Sequence, residues 1–156
     1  MKKTVLFQPG FTLVEVLIVI GLTTVLLGVI AINLVRPQSS NSVEVTATTL
    51  VADLKQQQLL AMMGDNGSQS TAQPHGVRLA ANSYTLFVGP TFAASTNQFV
   101  INMPQGITIS ANSLPLDIIF TVRSGETMAV SGVSVTNTSG DQRSLTINRL
   151  GVINVN

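Results

Sequence analysis

The chain contains no cysteine among its 156 residues and a single histidine, His75. The first absence excludes a thiol nucleophile, a thiolate metal site and any disulfide. His75 stands between Pro74 and Gly76 and reads as a turn residue, not as a catalytic base. Charge is scarce as well: 10% of residues are Asp, Glu, Lys or Arg, and the formal net charge is +1. Asp65, Asp117, Glu126 and Asp141 are scattered without ligand spacing, so nothing points to a metal, a cofactor or an enzyme active site. Asp65-Asn66-Gly67 has the oxygen-rich character of a Ca²⁺-holding loop, but a bare turn is the preferred reading. So neutral a composition suits a chain that buries much of its surface in an assembly.

One long run lacks charge almost entirely. Between Phe11 and Val35 the sole ionisable side chain is Glu15, and no proline occurs between Phe11 and Arg36. About 25 residues of helix reach roughly 37 Å, enough for a ~30 Å hydrocarbon core with some tilt. Lys2 and Lys3 precede the run and Arg36-Pro37 closes it, so the positive-inside tendency keeps the first ten residues cytoplasmic and sends the rest outward. A cleaved secretory signal would carry a shorter apolar region and a small-x-small site, which Ala31-Ile32-Asn33 does not match. A plain signal anchor accounts for everything except Glu15. A carboxylate in lipid costs on the order of 2.5–3.5 kcal/mol even on the mildest scale. Glu15 therefore either finds a partner or snorkels to the headgroups.

The same helix carries small residues at Gly21, Thr24, Gly28 and Ala31. Their spacing makes one narrow stripe, of the kind that lets helix backbones approach closely in lipid; chance composition is the competing explanation. Beyond Pro37, residues Val43, Ala47, Leu50, Val51, Leu54, Leu59 and Met62 recur near helical spacing, with Glu44, Asp53, Lys55, Gln56 and Gln57 mostly off that face. That pattern predicts an amphipathic helix over 37–63, continuous with the first or kinked at Pro37-Gln38-Ser39-Ser40. A straight helix over 11–63 would be ~80 Å long. Gly64-Asp65-Asn66-Gly67-Ser68 stops it, with glycine as the left-handed cap.

From Gln73 the period becomes two. His75–Leu79 and Tyr84–Val88 read as a hairpin, followed by Phe99-Val100-Ile101, Ile107-Thr108-Ile109 and an alternating strand over 116–122. Val133–Thr136 and Ser144–Ile147 join through Thr138-Ser139-Gly140-Asp141, and 151–155 makes a last strand. About eight short strands over 64–156 predict a small antiparallel domain. The fold class is α+β: a long N-terminal helix packed on a small antiparallel β-domain of two sheets.

Gly10-Phe11-Thr12-Leu13-Val14-Glu15, after a short basic leader, resembles the N-terminus of type IV prepilins and type II secretion pseudopilins. The resemblance implies cleavage after Gly10 by a membrane aspartyl prepilin peptidase and N-methylation of the new terminus, Phe11. Pro9 is a less usual leader residue. Residues 1–10 would be the leader peptide, 11–36 a transmembrane helix, 37–63 the amphipathic helix and 64–156 the β-domain. Cleavage would also create the missing partner for Glu15, since a positive Phe11 amine stands at i, i+4 spacing from its carboxylate. Assembly would then rest on Phe11, Glu15 and the stripe Gly21, Thr24, Gly28 and Ala31. The β-region, with His75–Leu79, Tyr84–Phe87, Leu145–Ile147 and Leu150-Gly151-Val152-Ile153, is similar to the GspH/FimT group of minor pseudopilins.

What the resemblance implies is a minor structural subunit of a type IV pilus or of a type II secretion or competence pseudopilus. Its partners would be other pilin or pseudopilin subunits, prepilin peptidase, an inner-membrane assembly platform and membrane lipid. The chain would be a single-pass inner-membrane protein with an extracytoplasmic C-terminal domain, later part of a periplasmic or surface filament. The alternative is a membrane-anchored extracytoplasmic binding domain that never polymerises, with DNA in uptake as one candidate ligand. Composition argues against nucleic acid: over 64–156, Arg78, Arg123, Arg143 and Arg149 are balanced by Asp65, Asp117, Glu126 and Asp141, and a phosphate-binding face needs clustered positive charge.

Overall fold

The computed structural model describes residues 11–129 and 131–156, without the side chains of 29–41. The leader residues, Gly10 among them, lie outside the described residues. Among the described residues one helix, α1 (Leu13–Met63), is followed by eight strands. These are β1 (His75–Leu79), β2 (Ser83–Val88), β3 (Asn97–Asn102), β4 (Ile107–Ala111), β5 (Leu116–Phe120), β6 (Ser131–Asn137), β7 (Gln142–Ile147) and β8 (Ile153–Val155). The chain divides into two compact units between Gln38 and Ser39.

Both ends of α1 are closed by local chemistry. At its start Thr12 is the N-cap: its Oγ1 accepts from the Glu15 backbone N–H at 3.3 Å, and its carbonyl accepts from Val16. At its end Gly64 turns left-handed, φ +71°, and two bonds form, Asp65 N–H to the Leu60 carbonyl and Gly64 N–H to the Ala61 carbonyl. That is a Schellman cap, expected from Gly64. The helix runs through Pro37, whose nitrogen has no proton for the carbonyl four residues back.

In the second unit the buried helix positions are Val43, Ala47, Leu50, Leu54 and Ala61, joined by Thr46, Val51 and the polar Gln57. This corrects the sequence pattern in its last two turns. Leu59 and Met62 turn outward, while Ala61 and Gln57 take the inner face. Steps of three and four from Leu54 lead to Gln57 and Ala61, so geometry selects those positions whatever their polarity.

The strands form two antiparallel four-stranded sheets, in the orders β3-β2-β1-β5 and β4-β6-β7-β8. The hairpin β1–β2 has the expected pairing, Val77 opposite Leu86 and Leu79 opposite Tyr84. β3 and β4, consecutive in the chain, belong to different sheets, and β5 returns to pair with β1. Val77, Leu79, Tyr84, Ile118 and Phe120 of the first sheet meet Ile107, Ile109, Val133, Val135, Leu145, Ile147 and Ile153 of the second in one core with the helix.

The first sheet also has a small cluster on its other face. Gly76 leaves room for the Phe87 ring, since a Cβ there would lie 2.5 Å from its Cζ. Phe92 packs edge-on against Phe87 with centroids 5.4 Å apart. The Arg78 guanidinium sits 3.8 Å over the Phe92 ring and donates to both Asp117 oxygens, at 2.5 and 2.7 Å. Those charge-assisted bonds raise the Arg78 pKa.

Candidate assembly site

An apolar helix surface on every side is the first feature of the N-terminal unit. Phe11, Leu13, Val14, Val16, Leu17, Ile18, Val19, Ile20, Leu22, Val25, Leu26 and Leu27 are all exposed. A helix that is apolar all round belongs in lipid or inside an assembly, not in water. Among the described residues no helix is long and apolar enough to cross a membrane. The uncharged run in the sequence continues to Val35, past the last described side chain of that stretch, Gly28.

Glu15 is exposed at the third helical position, where a carboxylate complements the positive helix N-terminus. Thr12 and Glu15 have the Thr-x-x-Glu spacing of a capping box. That spacing identifies Thr12 as a further residue of the site. Phe11 is 83% exposed and lies one turn from Glu15 in sequence. Gly21, Thr24 and Gly28 are exposed, with nothing within 4 Å of a Cβ built on either glycine. The Thr24 hydroxyl donates to the Ile20 carbonyl at 2.5 Å, so it turns back onto its own helix. The side chain of Ala31 lies outside the described residues.

In the second unit His75 is not a turn residue: it opens β1 and is 1% exposed. Its Nδ1 lies 3.3 Å from Gln57 Oε1, and its Nε2 lies 3.3 Å from Asp65 Oδ2 and 3.4 Å from the Asp65 carbonyl. The ring thereby ties the helix, the loop after it and β1 together. The oxygens of the Asp65-Asn66-Gly67 loop serve its own turn, Asp65 Oδ2 accepting from Gly67 N–H and Asn66 Oδ1 from Ser68 N–H. Beside His75 lies an open groove of about 540 Å³, lined in part by Leu60, Leu86, Val88 and Phe99.

Arg143, in the C-terminal half of the β-domain, donates from its Nε to Glu44 on the helix. Its charge is balanced where it stands. Tyr84 donates to Asp53 at 2.5 Å, and burial first, then that bond, hold its phenol well above its ordinary range.

Residues 7–31 match the prokaryotic N-terminal methylation motif. No curated protein matches the chain significantly. Among solved structures the chain is similar to the minor pseudopilin EpsH from the type 2 secretion system of Vibrio cholerae, with a TM-score of 0.56 and 14% identity over 74% of this chain and 96% of that one. At that identity the likeness is one of fold: a helix on two antiparallel sheets. A prokaryotic N-terminal methylation motif and a fold like that of EpsH therefore stand on one chain.

Proposed function

We propose that this chain is a minor structural subunit of a type IV pilus or of a type II secretion or competence pseudopilus. The observation that carries the proposal is the methylation motif at residues 7–31, opening a helix whose apolar surface is exposed on all sides. Cleavage after Gly10 leaves Phe11 as the mature terminus, and its methylated amine faces the Glu15 carboxylate one turn on. In lipid each charge lowers the cost of burying the other, and the pair sets the axial register of an incoming subunit. Gly21, Thr24, Gly28 and Ala31 provide the face along which neighbouring helices approach. The run from Phe11 to Val35, uncharged but for Glu15, anchors the precursor in the inner membrane, with residues 64–156 on the extracytoplasmic side. Other pilin subunits, prepilin peptidase, the assembly platform and lipid are its partners.

Mass spectrometry of the membrane-bound protein tests this reading. A chain beginning at N-methyl-Phe11 is the expected result. An intact Met1 in cells that process other prepilins would instead assign the chain to an anchored domain that does not polymerise.

A further inference from the structure

The loop after α1 carries more chemistry than a turn needs. Asn66 is the one asparagine of the chain that precedes a glycine. A side-chain amide carbon is an electrophile, and the next backbone nitrogen can reach it by closing a five-membered ring. A following glycine leaves that nitrogen unhindered. The fold also demands glycine here: Gly67 is left-handed, φ +53°, and a Cβ on it would lie 2.5 Å from Val88 Cγ1. Two further groups sit on the reacting atoms. The Gly67 N–H donates to Asp65 Oδ2 at 3.1 Å, so a carboxylate already holds the proton that must leave. His75 Nε2 lies 3.3 Å from the same oxygen and positions it. The Ser68 N–H donates to Asn66 Oδ1 at 3.2 Å, the oxygen on which charge develops under attack. A bond of 2.8 Å from Gln69 N–H to the Asn66 carbonyl closes the turn around these groups. Asp65, Asn66 and Ser68 are exposed, so water reaches them.

We propose that Asn66 is a self-modification site, converted to aspartate and isoaspartate by its own loop. The Gly67 nitrogen attacks Asn66 Cγ as Asp65 Oδ2 takes its proton, and the new N–Cγ bond closes a succinimide. The Cγ–Nδ2 bond then breaks, Asp65 returns the proton to the departing nitrogen, and ammonia leaves. Water opens the ring at either carbonyl, giving aspartate or isoaspartate at position 66. One water is consumed and one ammonia released, with no change of oxidation state. Asp65 is the general base, the Ser68 N–H steadies the developing oxyanion, and the closed turn keeps nucleophile and electrophile together. Either product adds a carboxylate beside Asp65. Isoaspartate also adds one carbon to the backbone just before Gly67, whose carbonyl accepts from Asn97 Nδ2 at 2.9 Å. The change therefore reaches β3 and the groove beside His75, which Asp65, Gly67 and Asn97 help to line. It accumulates with the age of the chain.

Trypsin supplies the assay, because Gln56 to Arg78 is one tryptic peptide and Asn66 is its only asparagine. The full-length chain is aged in detergent at neutral pH and then digested, beside an unaged sample. Mass spectrometry reads the amide-to-acid change at position 66, and an isoaspartyl methyltransferase labels the isoaspartate. The free tryptic peptide, aged alone, gives the rate without the fold. Conversion in the folded chain should be several-fold faster than in the peptide. In Asp65→Ala that advantage should vanish, the folded chain converting no faster than its own peptide. A wild-type chain that converts no faster than the free peptide would overturn the proposal. So would a folded Asp65→Ala chain that keeps the full advantage. The wild-type comparison uses no variant, so it decides even where Asp65→Ala fails to fold. None of these readouts depends on cleavage after Gly10.

Discussion

Gln58 and Gly125 are joined by a hydrogen bond of 3.0 Å from the Gln58 carboxamide to the Gly125 carbonyl. The same nitrogen reaches the Leu150 carbonyl at 3.3 Å. One helix side chain thus holds both the turn after β5 and the turn between β7 and β8. Gly151 makes room for it, since a Cβ there would lie 2.2 Å from that nitrogen. In a chain without disulfides, this amide fixes the C-terminal turns to the helix.

Replacing Gln58 by Glu keeps the shape but removes the donor and sets carboxylate oxygens against two carbonyls. Loss of such a partly buried donor is expected to lower stability by about 1–3 kcal/mol. Urea denaturation of the Gln58→Glu chain measures it. A change below ~0.5 kcal/mol, the range of ordinary surface substitutions, would show that the turns are held without the clamp.

Tyr84 predicts how stability depends on alkaline pH. It is the single tyrosine, and its pKa is raised in the fold by burial and by its bond to Asp53. The unfolded chain therefore loses the phenol proton first, near the ordinary value of 10.0. The stability contributed by the neutral form is fully present below that pH and is lost as pH rises toward the folded value. The urea midpoint should fall above about pH 10, and Tyr84→Phe should flatten that fall. Phenolate absorbance gives a second readout, because only this residue contributes to it.

Glu15→Val separates assembly from anchoring. Removing a carboxylate from lipid should ease insertion by up to about 3 kcal/mol. Cleavage after Gly10 should persist, and residues 64–156 should fold as before. Incorporation into filaments should fail, because the Phe11 amine meets no carboxylate. Following processing and incorporation separately in the same cells tests this. Wild-type incorporation would leave Glu15 with only its place at the helix N-terminus.

Gly10→Val addresses the peptidase step. If the glycine fills a tight subsite, the precursor should remain full length in the membrane. Intact-mass measurement detects this, and a shortened, methylated Gly10→Val chain would remove the argument for cleavage there.

Gly28→Leu adds bulk on the small-residue stripe without adding charge. It should leave membrane levels unchanged and weaken co-purification with filament partners. Unaltered co-purification would make the stripe a matter of composition alone.

Local patterns were legible wherever one interaction between near neighbours decides the structure. The helical period ending at Gly64, the hairpin from His75 to Val88 and the eight-strand count follow from residue spacing, because alternation and capping act within a few positions. The motif around Gly10 and Glu15 was legible for the same reason, and Thr12 was readable through its spacing to Glu15. His75 runs against its local signal: flanking Pro74 and Gly76 suggest a turn, whereas its burial depends on Gln57 and Asp65, which are distant in sequence.

The sequence by itself determined the α+β class, the apolar N-terminal run and its lone carboxylate. Tertiary structure alone decided that β3 and β4 part into separate sheets, that β5 returns to β1, and that Gln57 is buried while Leu59 and Met62 are exposed. It also decided that Arg143 is paired with Glu44 and that Gln58 clamps two turns. The physical reason is range. A side chain's period records which way it faces, but which backbone lies opposite is settled only when distant strands compete for the same core.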